Sequence, residues 1–133
     1  MTKTSTRLLS LLATAGAVLI AGALGAGRAA AEQQPNTAET LLQQCEAYAA
    51  GDAEVMSRMT CENTIWSTLK AMDVSKTVDA KFKAPYCKPE GMEISVRQGA
   101  DIFVKYVNEH PDVLRYPAEH AVILAIRSAY PCG

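Results

Sequence analysis

The sequence predicts an all-α domain, a small bundle of four to five short helices clipped by two disulfides. Three observations predict it. Apolar residues after residue 36 recur at helical spacing, and no period-two alternation lasts beyond a few residues. Helix start and stop signals bracket those runs. Four cysteines, Cys45, Cys61, Cys87 and Cys132, stand in what reads as a small exported chain, where an even count reads as bridges.

The start of the chain reads differently. Lys3 and Arg7 make a positive lead, residues 8–24 are an uncharged apolar run, and Ala29, Ala30 and Ala31 offer small residues for cleavage. That order predicts a secretory signal peptide over residues 1–31. The rival is an uncleaved anchor, which the short run, diluted by Gly and Ala, suits less well. No cysteine near the cleavage point is placed to carry a lipid, and no arginine pair marks the twin-arginine route. The expected destination is the periplasm, through the general secretory route, with no membrane association after cleavage.

Cleavage there leaves 102 of the 133 residues, enough for one small domain. It removes Lys3, Arg7 and Arg28, so ten basic residues face fourteen acidic ones, a net charge of −4. With no basic stripe, nucleic acid is not an expected partner.

Residues 32–36, EQQPN, form a flexible lead-in, and the helical domain takes residues 37–133. Asn36 with Glu39 predicts a capped start to a first helix, with Leu41, Cys45 and Tyr48 on one face and Gly51 as its stop. Asp52 is placed to open the next element. From there Val55, Met59, Ile65, Trp66, Leu69 and Met72 recur near helical spacing. One long helix, or a short one and a restart capped by Thr60, both fit. Trp66 with Met56, Met59 and Met72 invites a ligand-pocket reading, but methionines at this spacing are expected in the core, where they fill irregular gaps. Pro85, Pro89 and Gly91 then mark a loop around Cys87, with room for a helical turn before Pro85.

The last third is the most regular. Ser95 and Gln98 form a capping box, and Val96, Ala100, Phe103, Val104 and Val107 give an apolar helix face. His110 falls in the last turn, and Pro111 forces the exit. Pro117 suits the first turn of a new helix, with Ala118, Ala121, Val122, Leu124, Ala125 and Ile126 largely apolar, and Pro131 ends it before Cys132.

The stretch VNEHPDVLRYPAEH concentrates both histidines, three carboxylates, an arginine and two prolines. A metal site of His110 and His120 with Asp112 or Glu119 is the sharp reading. The spacing spans a proline-broken corner, so local geometry does not hold that set together. A structural corner of His110, Pro111 and Pro117, with Pro131 closing the next helix, explains more. Asp112, Arg115 and Glu119 then read as solvated charge. Catalysis is no better served. Bridged cysteines offer no thiolate, and no serine sits in a glycine-flanked elbow. The expectation is a protein without enzymatic activity, metal or cofactor.

Three cysteine pairings are open on the sequence alone. Cys45 with Cys61 would clip adjacent helices, and Cys87 with Cys132 would tie the loop to the chain end, each adding roughly 3–4 kcal/mol in the chain-entropy model.

The runs Cys87-Lys88-Pro89, Lys105-Tyr106-Val107, His110-Pro111 and Tyr130-Pro131-Cys132, in that order after Cys45 and Cys61, resemble the Rap/Tai family. Its members are immunity proteins that neutralise type VI secretion peptidoglycan amidases. Asn63 and Ser67 stand where that family commonly has glycines. The resemblance implies an exported helical protein that binds and blocks a cell-wall amidase, often as a homodimer. If the corner makes the contact, Asp112, Arg115 and Tyr116 are the candidates by residue type. The alternative from another class is a small periplasmic stress chaperone, opened when its carboxylates protonate.

Overall fold

The computed structural model describes residues 36–133. The expected signal peptide over residues 1–31, and all of the lead-in except Asn36, lie outside the described residues. Four helices, α1 (Ala38–Ala50), α2 (Val55–Val78), α3 (Val96–Glu109) and α4 (Ala118–Ala129), make the domain, with a 3-10 helix over Pro111–Arg115 between the last two. Among the described residues there is no strand, only an isolated bridge between Thr37 and Pro117.

α1 begins one residue later than the capping signal suggested. Thr37, not Asn36, is the cap, its hydroxyl accepting from the Thr40 amide. Asn36 is used across the fold instead: its carbonyl accepts from the Ala118 amide at 2.9 Å and its side chain donates to Glu119 Oε1 at 2.9 Å. With the Ala38 amide donating to the Tyr116 carbonyl at 2.9 Å, the start of α1 is stitched to the start of α4. Gly51 ends α1 at φ 82°, a left-handed conformation that a residue without a Cβ adopts at no steric cost.

α2 is one continuous helix of 24 residues, the first of the two readings its spacing left open. Asp52 does not open it, and its first turn has no side-chain cap. Thr60 is interior; its hydroxyl donates back to the Met56 carbonyl at 2.9 Å, so it satisfies itself without breaking the ladder. α3 starts on the Ser95–Gln98 capping box, with both reciprocal bonds formed. Arg97 then reaches over Tyr48 and donates to the Ala49 carbonyl at 2.8 Å, placing a cation at the carbonyl end of α1.

The core is the meeting of all four helices. Leu41 and Cys45 of α1, Cys61 and Ile65 of α2, Phe103 of α3 and Val122 of α4 are fully buried. Phe103 is the largest of them. The close approach of α2 and α3 occurs at Gly99. A Cβ there would meet Ile65 Cγ2 at 2.6 Å and Leu69 Cδ1 at 3.5 Å. Asn63 and Ser67, which stand where the resembled family commonly has glycines, are both exposed, so they do not bear on that approach.

Gly99→Ala sets two effects against each other. Alanine in a helix interior gains about 1 kcal/mol over glycine. Overpacking costs about 1–3 kcal/mol, and the Ile65 methyl sits on a stiff β-branched carbon with little room to yield. The expected outcome is a net loss of about 1–2 kcal/mol in urea unfolding. A variant more stable than the parent would show that the two helices have slack.

The structure pairs Cys45 with Cys61 and Cys87 with Cys132. The first bridge is buried between α1 and α2. The second lies at the surface and holds the loop after α2 to the chain end, aided by the Cys87 amide donating to the Tyr130 carbonyl at 2.9 Å.

Candidate functional site

The His-Pro stretch folds as a corner whose polar groups face outward. His110 caps α3, its amide donating to the carbonyls of Tyr106 and Val107 at 2.9 and 3.2 Å. Its ring lies 4.2 Å from the Tyr106 ring, nearly parallel, and Nδ1 is 2.9 Å from the Tyr106 carbonyl oxygen. A carbonyl only accepts, so Nδ1 carries the proton in this bond. Pro111 opens the 3-10 helix, and Val113 pins it by burying its side chain in the core. Pro117 sits at the N-cap of α4 rather than in its first turn, and Pro131 lies just beyond α4. His120, in the first turn of α4, stacks at 5.5 Å on Tyr116. Each histidine is thus paired with a tyrosine. Among the described residues no three His, Cys, Asp or Glu side chains come together as a metal-holding group. Asp112 and Arg115 are exposed, and Tyr116 is 40% exposed.

Two larger surface features lie elsewhere. The first overturns the core reading for Met56, Met59 and Trp66, while Met72 packs against the core as expected. Met56, Met59 and Trp66 are 70%, 46% and 54% exposed, and Met72 is half-buried. With Val55, Val74 and Val78, the residues Met56, Met59 and Trp66 form a stripe of exposed apolar side chains along the outer face of α2, with Asn63, Ser67 and Lys70 exposed among them. The face carrying Cys61, Ile65, Thr68 and Leu69 is the one that packs. At 100° per residue, positions 55, 59 and 66 fall within 40° of one another, and 61, 65, 69 and 72 fall together about 100° around the helix from them. The recurrence read in the sequence mixed these two faces. α2 is apolar on both, and a full turn-by-turn projection of its 24 residues would have separated them.

The second feature is an open groove of about 1100 Å³ beside the Cys87–Cys132 bridge. The end of α2, the loop after it, the end of α3 and the end of α4 form its walls. Tyr86, Tyr106 and Leu124 give it an apolar lining. Lys76, Lys83, Lys88 and Arg127 surround that lining, and no Asp or Glu contributes to it. Lys88 pairs with Asp73 of α2 at 3.7 Å, and Lys76 lies 5.5 Å from the centre of the Tyr86 ring. Burial raises the Tyr86 phenol above its ordinary value, and the nearby Asp73 charge adds to that, so the phenol stays neutral at physiological pH. Lys76, Lys83, Tyr86 and Arg127 were not singled out from the sequence, and Lys88, Tyr106 and Leu124 were read there for the family resemblance and a helix face rather than for a groove. Four cations scattered from position 76 to position 127 carry no local pattern; only the fold collects them.

A helical domain that exposes one long stripe of apolar side chains and one cationic groove has the surface of a binding protein. A family model described as Rap1a immunity proteins matches residues 27–132, and the chain belongs to that family. Immunity proteins work by binding a protein effector, and this family is generally non-enzymatic. The membership agrees with the resemblance carried by the cysteines, the His-Pro corner and the terminal Tyr-Pro-Cys. No curated protein and no solved structure gives a significant match. No helix among the described residues is long and apolar enough to cross a membrane.

Proposed function

We propose that this protein is exported to the periplasm and there binds and inhibits a peptidoglycan amidase delivered by type VI secretion. Family membership supports the immunity role, and the charged-apolar-small order of residues 1–31 supports export. The observation that carries the binding mode is the apolar stripe on α2, which runs about 35 Å from Val55 to Val78 at 1.5 Å per residue. Inhibition on this reading is steric. The effector seats on the stripe and its cleft is closed by the bulk of the bundle, with no chemistry performed by this chain.

Two surfaces compete for the contact. The corner offers Asp112, Arg115 and Tyr116, of which only Tyr116 is a large apolar group. The stripe offers six apolar side chains, including the chain's single tryptophan, and Trp is among the residues that most often carry interface energy. The stripe is therefore favoured for the effector or, in part, for a second copy of this chain. It is also exposed in the folded state, so it needs none of the acid-triggered opening that the stress-chaperone alternative requires.

The test is calorimetric titration of the oxidised protein with an amidase encoded beside it, followed by peptidoglycan cleavage by the mixture. Saturable binding with loss of cleavage is the expected result. A folded, oxidised protein that leaves cleavage untouched would refute inhibition of that amidase.

A further inference from the structure

We propose that the groove beside the Cys87–Cys132 bridge is a second docking site, which takes an extended acidic segment of a partner protein whose carboxylates alternate with apolar side chains. The inference rests on the immunity reading only for the partner's being a protein; the groove's chemistry is independent of it.

Charge balance favours an acidic occupant. A chain whose residues beyond 31 sum to −4 places four cations around one groove and no carboxylate in its lining. Only Lys88 has an ion-pair partner, Asp73. Lys76, Lys83 and Arg127 form no ion pair among the described residues and are exposed. Such a cluster repels itself, and an anion relieves that repulsion. The local field is opposite to that of the molecule, so it selects acidic partners rather than attracting every basic surface.

The lining calls for apolar side chains as well. Between the cations lie Tyr86, Tyr106 and Leu124, with Pro85 and Pro131 at the sides. A free inorganic anion would leave that apolar surface wet. A segment with acidic and apolar side chains in alternation satisfies both. Arg127 is suited to grip a carboxylate with two parallel hydrogen bonds. Ser128 adds a hydroxyl. His110 directs Nδ1 to the Tyr106 carbonyl, which leaves Nε2 as its free ring nitrogen at the groove wall.

Shape decides between occupants. At about 1100 Å³ the space exceeds that of an ordinary small-molecule pocket, and it is open along its length. An acyl chain needs enclosure that this groove does not give. An extended peptide needs only one wall, since its outer edge remains hydrated. The walls are firm where the segment would lie, because the Cys87–Cys132 bridge and the Cys87–Tyr130 backbone bond lock the loop to the end of α4.

The probe is a fluorescein-labelled Glu-Leu-Glu-Phe-Glu peptide, titrated into the oxidised protein by fluorescence anisotropy with no effector present. Saturable one-site binding is expected. The Gln-Leu-Gln-Phe-Gln analogue should bind at least about tenfold more weakly, and Lys83→Glu with Arg127→Glu should weaken the acidic peptide by at least about tenfold, since both remove paired charge. Both altered residues are exposed, and far-UV circular dichroism checks that the fold is kept. Arg58→Glu makes the same charge reversal as either of those substitutions alone, on α2, eighteen residues before Lys76 and about 27 Å away along the helix axis. It should leave binding within about twofold, which separates a local site from overall charge.

Absence of peptide binding would overturn the proposal. So would equal affinity for the glutamine analogue, or an equal effect of Arg58→Glu. Binding to phosphatidylglycerol vesicles in place of the peptide would overturn it in favour of a lipid surface. None of these outcomes touches the amidase titration, and an amidase that fails to bind leaves the peptide result standing.

Discussion

Replacing Cys45 and Cys61 together by alanine is expected to cost the domain about 4–5 kcal/mol, a large part of the total stability of a domain this size. The bridge closes a separation of 16 residues, worth about 3 kcal/mol in the chain-entropy model. Both cysteines are fully buried, so truncation also removes packed sulfur from between α1 and α2 and adds about 1–2 kcal/mol. Loop length alone ranks the other bridge higher. Cys87–Cys132 closes a separation of 45, worth about 4 kcal/mol by the same relation. Burial reverses the order. Cys87 and Cys132 are exposed, their loss leaves no core cavity, and what they release is a loop and a tail.

The two bridges should also differ under reductant. Access controls thiol–disulfide exchange, so Cys87–Cys132 opens first and Cys45–Cys61 only with unfolding. Urea titration of the two double variants, with mass-spectrometric trapping of thiols during stepwise reduction, checks both statements. A Cys45→Ala/Cys61→Ala protein with the parent's urea midpoint would mean that the α1–α2 packing holds without its clip.

What the sequence made legible follows from where each signal is local. Capping and breaking are local, so Gly51, the Ser95–Gln98 box and Pro111 were readable, and α1, α3 and α4 fall close to where they were expected. The miss at Asn36 is of one residue, and its cause is tertiary: the Asn36 carbonyl and side chain are claimed by Ala118 and Glu119, which leaves Thr37 to cap. α2 misled because a helix with two apolar faces has a weak amphipathic period, and a weak period reads as core. Both the family resemblance and the His-Pro corner were carried by contiguous residues. The cationic groove was not, because Lys76, Lys83, Lys88 and Arg127 meet only after α2, the loop and α4 have folded together.

The groove and the stripe also ask different things of the helix they share. At the groove, α2 contributes a single cation near its end, and the site's geometry depends on the bridged loop. At the stripe, α2 contributes the whole contact, and its other face is held by the buried Cys61 and Ile65. Reduction of the surface bridge should therefore weaken peptide capture while leaving the stripe's presentation intact. The buried bridge couples to the stripe, since it fixes α2 against α1.

Trp66→Ala is expected to weaken effector binding by about 2–4 kcal/mol, thirtyfold or more, while leaving the fold unchanged. Trp66 is 54% exposed and lies mid-way along the stripe, flanked on the same face by Met59 and Val55. In a complex it would pass from half-solvated to enclosed, and a large aromatic desolvated at the centre of an interface is where truncation costs most. Within the free protein Trp66 is half-buried and lines a small pocket with Leu69, Ile94 and Val96, so its removal should also cost about 1–2 kcal/mol of unfolding free energy, less than the loss in binding. Those two readouts, taken together, are what separate a contact residue from a structural one. Tyr116→Ala is the matched comparison, because Tyr116 is exposed to a similar degree at the corner and stacks only on His120. Loss of affinity at Trp66 with Tyr116→Ala close to the parent places the effector on α2. Loss at Tyr116 with Trp66→Ala unchanged moves the effector to the corner of Asp112, Arg115 and Tyr116, and leaves the stripe for a second copy of the chain. A sedimentation measurement on Trp66→Ala decides that remaining point: a dimer that dissociates on the substitution shows that the stripe joins two copies.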